Sequence, residues 1–407
     1  MRAIYFWSCG TASLSLEIDM RFFLFLSSLD RCYLKVLHFY KTFAAEQHGG
    51  VEMFIRHLTH ATTNQGCENV VLSLASEGTS LVQEADYQLI HAKEIFNVAS
   101  TGFSVSAFNV FSNLVKTVDV VHYHFPWPFM DLVHFFSRCK KPTVVTYHSD
   151  IVRQKVLKCL YSPLQSAFLN SVDAIVATSP NYLESSPVLA RYRDKSTSIP
   201  IGLEQSMYPS ADAGRVDELR KRYGRFFLFV GVLRYYKGLE FLLQAIEGTD
   251  WPLLIVGAGP LEQELMQLAT ERKLHNVHFI GQVSEQEKVN LLEACYAVVF
   301  PSHLRSEAFG ISLLEAAMFG KPMVCSEIGT GTSFINLHEV SGLVVPPQNA
   351  LALRIAMSVL WESSALAARY GEAARERYLS VFTSRSMGAG YIQLYSELID
   401  RRGRGQR

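Results

Sequence analysis

From Leu34 onward one pattern repeats along the chain. A short apolar run of strand length is followed by a turn with Gly or Ser, then by roughly 10–15 residues with apolar positions at helical spacing. In the first half the strand-length runs are Lys35–Phe39, Val70–Ala75, Val118–His122, Thr143–Tyr147 and Ala174–Thr178, with amphipathic helices at Val51–Gln65 and Val156–Asn170. Around Ile199–Gly214 the pattern breaks, because Pro200, Gly202, Pro209, Ser210 and Gly214 crowd together as in a linker. It then restarts with strands at Phe226–Val230, Pro252–Val256, Val277–Ile280, Ala297–Phe300 and Met323–Ser326. The helices between them are Leu239–Glu247, Leu261–Arg272, Glu285–Ala294 and Phe309–Phe319. Strand–helix alternation of this kind predicts an α/β chain with parallel strands, here in two Rossmann-like, doubly wound halves that face each other across a cleft.

The division read from the pattern is residues 34–203 for the first domain, 204–214 for the linker and 215–383 for the second domain. Residues 384–400 form a C-terminal crossover helix, and 401–407 form a basic tail expected to fray. Residues 1–33 lack any period and read as an extra segment outside the fold. A bacterial start codon can encode leucine, so Leu34 is a candidate native start.

The 407 residues amount to about two or three domains of ordinary size. Hydrophobic residues make up 49 %, enough for more than one core. With 38 basic and 38 acidic residues the net charge is zero, which argues against a dedicated nucleic-acid binder. The 7 cysteines are scattered without CxxC or zinc spacing and read as reduced thiols. No apolar run approaches the roughly 18–20 residues that span a bilayer. The nearest, Phe22–Leu29, is bounded by Arg21 and Asp30 and has no cleavage site after it. The expected location is cytoplasmic.

Four motifs follow strands of the second half, where ligands of open α/β sheets bind. Gly231-Val-Leu-Arg234-Tyr-Tyr-Lys237-Gly238 sets two cations at a strand end, a pair suited to a diphosphate, although an isolated pair of this kind is ordinarily two solvated charges. Val256-Gly257-Ala-Gly259-Pro260 begins like a dinucleotide fingerprint, but Glu262 stands where the third glycine belongs, so it reads as a strand-to-helix turn. In Pro301-Ser-His303-Leu-Arg305-Ser-Glu307-Ala308-Phe309-Gly310-Ile311-Ser-Leu-Leu-Glu315 two carboxylates are eight positions apart, about 12 Å of helix. That exceeds the roughly 5–9.5 Å of a glycosidase pair and suits a grip on the two ends of an elongated ligand. The amides at Ala308–Gly310 are expected to point at the same ligand. Last, Ser326-Glu-Ile-Gly329-Thr-Gly331-Thr is a glycine-punctuated turn.

Taken together, in this order and spacing, these motifs resemble the retaining glycosyltransferases of family four, which have the GT-B fold with a C-terminal helix returning to the N-terminal domain. The resemblance covers Leu34 to about Ile399 and implies that Arg234 and Lys237 hold the donor diphosphate. It further implies that Glu307 contacts the donor sugar, that Glu315 contacts the ribose, and that the segment near Ile280 cups the base. Gly231, Gly257, Gly259, Ala308, Phe309, Gly310 and Ile311 line the same donor site by this resemblance.

In the first half, Gly49-Gly50-Val51-Glu52 opens a helix where glycines allow close approach of a ligand, and the resemblance puts this loop near the phosphates and the acceptor. His148, at the end of a strand, matches the family's histidine beside the donor sugar. His122 and His124 share a strand face as a metal pair would, but no third ligand has suitable spacing, and no metal site is expected. Ile199-Pro-Ile-Gly-Leu-Glu204 matches an interdomain segment of the family, with Ile201 and Glu204 departing from it. Arg153, Lys155 and Lys158 lie beside Val156, Leu157, Leu160, Leu164 and Phe168, a basic amphipathic stretch suited to anionic lipid.

The resemblance thus implies a retaining hexosyltransferase, closest in pattern to bacterial mannosyl- and rhamnosyltransferases of surface polysaccharide. A GDP-sugar donor, a saccharide or polyprenyl-diphosphate-linked saccharide acceptor and no cofactor are expected. The chain has no Asp-x-Asp metal anchor, so Arg234, Lys237 and helix-terminal amides would meet the leaving-group charge. The rivals are a GT-B sugar-nucleotide epimerase and a non-catalytic sugar-nucleotide-binding protein. The first is separated by acceptor-dependent release of nucleoside diphosphate, the second by tolerance to loss of Lys237 and Glu307.

Overall fold

The structure, a computed structural model, describes residues 34–43, 49–78, 80–98, 101–150 and 155–405. The expectations for residues 1–33 and for Arg153 lie outside these, as do the side chains of Lys155 and Lys158.

The first domain is built on an 8-stranded sheet. In chain order its strands are β1 (Lys35–Phe39), β2 (Glu68–Ala75), β3 (Ser80–Gln83), β4 (Gln88–Lys93), β7 (Val120–Phe125), β8 (Thr143–Tyr147), β9 (Ala174–Ala177) and β10 (Ser196–Ser198). A separate hairpin pairs β5 (Phe96–Val98) with β6 (Thr101–Phe103). The sheet order is β10-β9-β8-β7-β1-β2-β4-β3, parallel except for β3 against β4. The order reverses at β1, which lies between β7 and β2.

The second domain carries β11 (Phe227–Val230), β12 (Leu253–Val256), β13 (Val277–Gly281), β14 (Ala297–Phe300), β15 (Met323–Ser326) and β16 (Gly342–Val345). Its order, β13-β12-β11-β14-β15-β16, is that of a dinucleotide-binding sheet, with the switch between β11 and β14. Strands with helices on both faces are buried on both faces, so they read as unbroken apolar runs, as Phe227, Leu228, Phe229 and Val230 do.

Three apolar clusters hold the chain. One lies on the outer face of the first sheet, with Phe39, Tyr123, Trp127 and Phe168. Another lies on the outer face of the second, with Phe229, Leu243 and Met357. The third is continuous across both domains, from Val36 and Phe54 through Ile201, Leu203 and Tyr208 to Phe309, Phe382 and Tyr391.

The structure corrects several boundaries. The strand expected at Val118–His122 begins two residues later and takes in His124, because Asp119 is occupied capping the Lys35 amide at 2.9 Å. The linker ends earlier than Gly214: Asp212 accepts from the Arg215 amide at 3.1 Å and starts a helix at Ala213. The C-terminal helix runs Ser384–Gly405, past the expected end at residue 400. Through Arg401–Gly405 the basic tail is therefore helical, not frayed. Arg402 reaches back to both carboxylate oxygens of Asp173, at 3.0 and 2.8 Å, and so ties this end to the first domain. Higher in the same helix the Tyr391 hydroxyl meets Thr146 and the Tyr395 hydroxyl meets His122, each at 2.7 Å.

Among the described residues no single helix is long and apolar enough to cross a membrane.

Candidate active site

The loops after β11 and β14 flank the switch point of the second sheet. The β11 loop passes through Gly231 and ends in a short turn at Tyr235–Lys237. A Cβ on Gly257 would lie 2.1 Å from the Gly231 carbonyl oxygen, so the two glycine-bearing loops pack backbone against backbone. That contact explains the GAG sequence without a dinucleotide. Lys237 is turned inward and buried, and its Nζ donates to Glu307 Oε2 at 2.5 Å. Its ammonium also sits 4.5 Å from the centre of the Phe300 ring. Ser302 Oγ donates to the same Glu307 oxygen at 3.3 Å. Arg234 is exposed at the mouth of this loop, so one cation is buried and paired and the other faces solvent.

Glu315 occupies a different environment. It is buried, and its Oε1 accepts from Lys288 at 2.6 Å and from the Tyr208 hydroxyl at 3.1 Å. Burial disfavours the Lys288 charge, but Glu315 and then Glu285 outweigh it and hold that ammonium above its ordinary pKa. The helix between the two carboxylates starts at Ile311, not Phe309, with Gly310 left-handed (φ 98°) at its cap. The amides of Ile311 and Ser312 in its first turn lack intrahelical partners, and the Ala308–Gly310 segment, whose amides were expected inside the helix start, lies just before it.

The first domain brings its own loops to this place. Gly50 opens its helix opposite the Ile311 side chain, 3.5 Å from where a Cβ would stand. Glu52, two residues on, is buried and accepts from Thr42 at 2.7 Å. Burial depresses the neighbouring Lys41 ammonium; Glu52 favours its charge and Arg234, from the other domain, opposes it. A cavity of about 340 Å³ opens here, lined by Tyr40, Lys41, Thr42, Glu52, Glu94, Asn97 and Gly102.

His148 follows β8 and is nearly enclosed, with Phe54 edge-on at 4.9 Å. Its Nε2 lies 3.2 Å from His124 Nδ1, and burial lowers its pKa to about 3. His122 and His124 do share a face. The structure adds a third histidine, His38 on β1, close enough for the three to surround an ion. All six ring nitrogens of this trio already have partners, in His38–Asn69, His38–His124, His124–His148, His122–Thr146 and His122–Tyr395. A hydrogen-bonded network accounts for them.

The two domains are clasped by Arg305. Its guanidinium donates to Ser185 Oγ at 2.9 Å, to the Gly329 carbonyl at 3.0 Å and to Asp150 at 3.4 Å. The glycine-punctuated turn is thus an interdomain contact, with Gly329 at φ 67°. Below it, the departing residues of the Ile199–Glu204 segment have their own partners: Ile201 is buried, and Glu204 accepts from Ser384 Oγ at 2.6 Å.

Comparison with known proteins agrees with this geometry. The model described as Glycosyltransferase Family 4 matches residues 48–203, and the one described as Glycosyl transferases group 1 matches residues 213–377. The D-rhamnosyltransferase WbpZ of Pseudomonas aeruginosa is 54 % identical over 353 residues, which is 86 % of this chain and 93 % of that one. The chain belongs to the family 4 glycosyltransferases. The O-antigen chain mannosyltransferase C of Escherichia coli is 47 % identical over 369 residues, 90 % of this chain and 99 % of that one. Among solved structures, the sucrose-phosphate synthase of Thermosynechococcus elongatus superposes with a TM-score of 0.73 at 21 % identity, covering 90 % of this chain and 100 % of that one. Anabaena HepE, in complex with UDP and glucose, gives 0.69 at 16 % identity, covering 89 % and 100 %. These share the GT-B fold.

For this glycosyltransferase the structure brings Lys237, Glu307, Gly231, Gly257, Gly259, Gly310 and Ile311 to one end of the second sheet, with Glu315 farther along the helix. Gly50 and His148 approach from the first domain. Ile280 lies on β13, half-buried, beyond β12 from this point. Sequence reasoning gave no role to Lys288, Tyr208, Asn69, His38 or Asp150, and quoted Arg305 without giving it one. His38 carried a signal: it is polar among the apolar residues of the first strand. Lys288 carried none, since it is one cation on an ordinary helix.

Proposed function

We propose that this glycosyltransferase moves a mannosyl or rhamnosyl residue from a GDP-sugar, with retention and without a metal ion or other cofactor, to a saccharide in O-antigen assembly. The acceptor is carried on a polyprenyl diphosphate at the inner face of the cytoplasmic membrane. The names of the two bacterial relatives, a D-rhamnosyltransferase and an O-antigen chain mannosyltransferase, support the sugar class. The observation that carries the chemistry is the buried Lys237–Glu307 contact at the sheet's switch point, with Arg234 at its mouth.

The donor diphosphate meets Lys237, Arg234 and the Ile311 and Ser312 amides, whose positive ends are already aimed when charge develops on the leaving group. Glu307 accepts from sugar hydroxyls and, through Lys237, sets where the ammonium points. Glu315, braced by Lys288 and Tyr208, presents Oε2 to the ribose. The acceptor sugar takes the cavity beside Lys41 and Glu52. The C1–O bond to the diphosphate breaks, the acceptor oxygen bonds to C1 on the same face, and its proton passes to the leaving phosphate oxygen. The basic stretch at Arg153, Lys155 and Lys158 brings the enzyme to anionic lipid.

The test is a donor panel of GDP-mannose, GDP-rhamnose and UDP-glucose with a lipid-linked saccharide acceptor, and NMR of the product's anomeric configuration. Acceptor-dependent release of GDP with a retained anomeric centre is expected. Transfer from UDP-glucose alone, or inversion, contradicts the proposal. For the membrane contact, flotation with anionic liposomes is expected to fail when the three cations are replaced by alanine.

A further inference from the structure

A line of polar side chains crosses the inner face of the first sheet, one from each of four neighbouring strands or strand ends. Asn69 stands on β2, His38 on β1, His124 on β7 and His148 just after β8. Asn69 Oδ1 lies 3.2 Å from His38 Nε2, His38 Nδ1 lies 3.2 Å from His124 Nε2, and His124 Nδ1 lies 3.2 Å from His148 Nε2. All four are buried.

This line has a direction. The Asn69 amide nitrogen donates to the Thr59 carbonyl at 3.2 Å and to Thr63 Oγ1 at 2.9 Å. A carbonyl can only accept, so the amide cannot be reversed, and Oδ1 faces His38 as an acceptor. His38 must then carry its proton on Nε2, which leaves Nδ1 to accept. The same necessity passes to His124 and then to His148, since a neutral imidazole has one donor and one acceptor. Burial keeps the rings neutral: His38 is lowered to about 4 and His148 to about 3. At the end of the line His148 Nδ1 has no partner among the described residues, and it is not sealed from solvent. Phe54 and the bond from the His148 amide to the Phe125 carbonyl, 3.0 Å, hold the ring in place.

We propose that Asn69, His38 and His124 are positioning residues that fix His148 as the Nε2–H tautomer, so that a bare Nδ1 faces the cleft and accepts a hydrogen bond from a sugar hydroxyl. The hydroxyl reading rests on the glycosyl-transfer function; the tautomer does not. A fixed acceptor orients the hydroxyl before reaction, whereas a mixture of tautomers leaves half the encounters with a donor in its place. At metal sites, where an outer partner fixes the tautomer of an imidazole in the same way, its loss typically costs about 10- to 100-fold.

The experiment uses the full chain with ¹⁵N-labelled histidine and long-range ¹H–¹⁵N correlation spectra. His148 is assigned by loss of its signals in His148→Gln. In the unliganded wild type His148 is expected as the Nε2–H tautomer, and an Nδ1–H signal overturns the proposal whatever the enzyme transfers. Two variants then separate positioning from packing. His38→Gln can still donate to Asn69 and accept from His124, so it is expected to keep the tautomer and most of kcat. His38→Leu breaks the line and is expected to give mixed tautomers and about 10-fold lower kcat, with nucleoside-diphosphate affinity unchanged. Equal loss of kcat in both variants with the His148 tautomer intact rejects the positioning role. If His38→Leu does not fold, the wild-type and His38→Gln spectra still decide.

Discussion

Lys237 and Glu307 stand 70 residues apart in the chain and 2.5 Å apart in space, side chains nearly closed off from water. They join the two loops at the switch point of the second sheet, so neither can be altered without releasing the other. Lys237→Ala is expected to lower kcat by about 100-fold or more, since one preorganised donor to a leaving group is worth roughly 2.7–4 kcal/mol. Glu307→Gln is expected to impair turnover while leaving the Kd for GDP nearly unchanged. Calorimetric Kd values beside steady-state kcat check both; a loss of GDP affinity in Glu307→Gln puts that carboxylate at the nucleotide instead.

Glu315 and Lys288 are expected to behave as a structural pair as well as a ribose site. Glu315→Ala leaves a half-buried ammonium with only Glu285 and should lower stability by about 1–3 kcal/mol, together with weaker GDP binding. Lys288→Met in the same chain should recover most of the stability but not the affinity. Because the Lys288 pKa is raised, its contribution is full below about 10.5 and is lost as pH rises through the folded value. Urea midpoints of the single and double variants, and GDP titrations, measure this; recovery of affinity in the double variant would remove the ribose role.

Acid is expected to destabilise this protein early. Burial lowers His38 and His134 to about 4 and His57 and His148 to about 3, against roughly 6.5 in the unfolded chain. Above pH 6.5 both states are neutral and these groups contribute nothing. As pH falls from about 6.5 to about 4, the unfolded chain takes up protons that the folded one refuses. Each group then removes up to roughly 1.4 kcal/mol per pH unit. Asp131, raised by burial, works the opposite way, one group against these four and against His122 and His124, which burial also lowers. Urea denaturation at pH 7.5 and pH 5.5 should show a clearly lower midpoint at the acid pH; equal midpoints would mean that the histidines charge without unfolding.

Arg305 ties the second domain to Ser185 and Asp150 of the first. Arg305→Ala is expected to loosen the clasp, raise the radius of gyration in small-angle scattering and raise KM for the donor severalfold, with little change in melting temperature. An unchanged scattering profile would locate the hold between domains in the apolar cluster around Leu203 and Phe382 alone.

Transfer is expected to persist in EDTA. In the proposed mechanism Lys237, Arg234 and the first-turn amides of the Ile311–Met318 helix are to supply the positive charge that a metal supplies elsewhere. Activity that is abolished by chelation and returns with Mn²⁺ would refute this.

The sequence by itself did not name β3–β6, β10 or β16. It determined the parallel character of the two sheets, ten of their strands and six helices, nearly all to within two residues, and the Arg-x-x-Lys and Glu-x₇-Glu motifs. These are legible because burial on both faces writes unbroken apolar runs, and because residues close in the chain stay close in space. Tertiary structure decided which charges meet. The pairs Lys237–Glu307, Lys288–Glu315 and Arg305–Asp150 and the Asn69–His38–His124–His148 line join residues from different strands and loops. No periodicity records those distances, because they depend on sheet order and register. Tertiary structure also decided that the C-terminal basic residues stay helical: Arg401–Gly405 has the composition of a loose end, and Asp173 and the Lys140 carbonyl beside Arg402 give it something to hold.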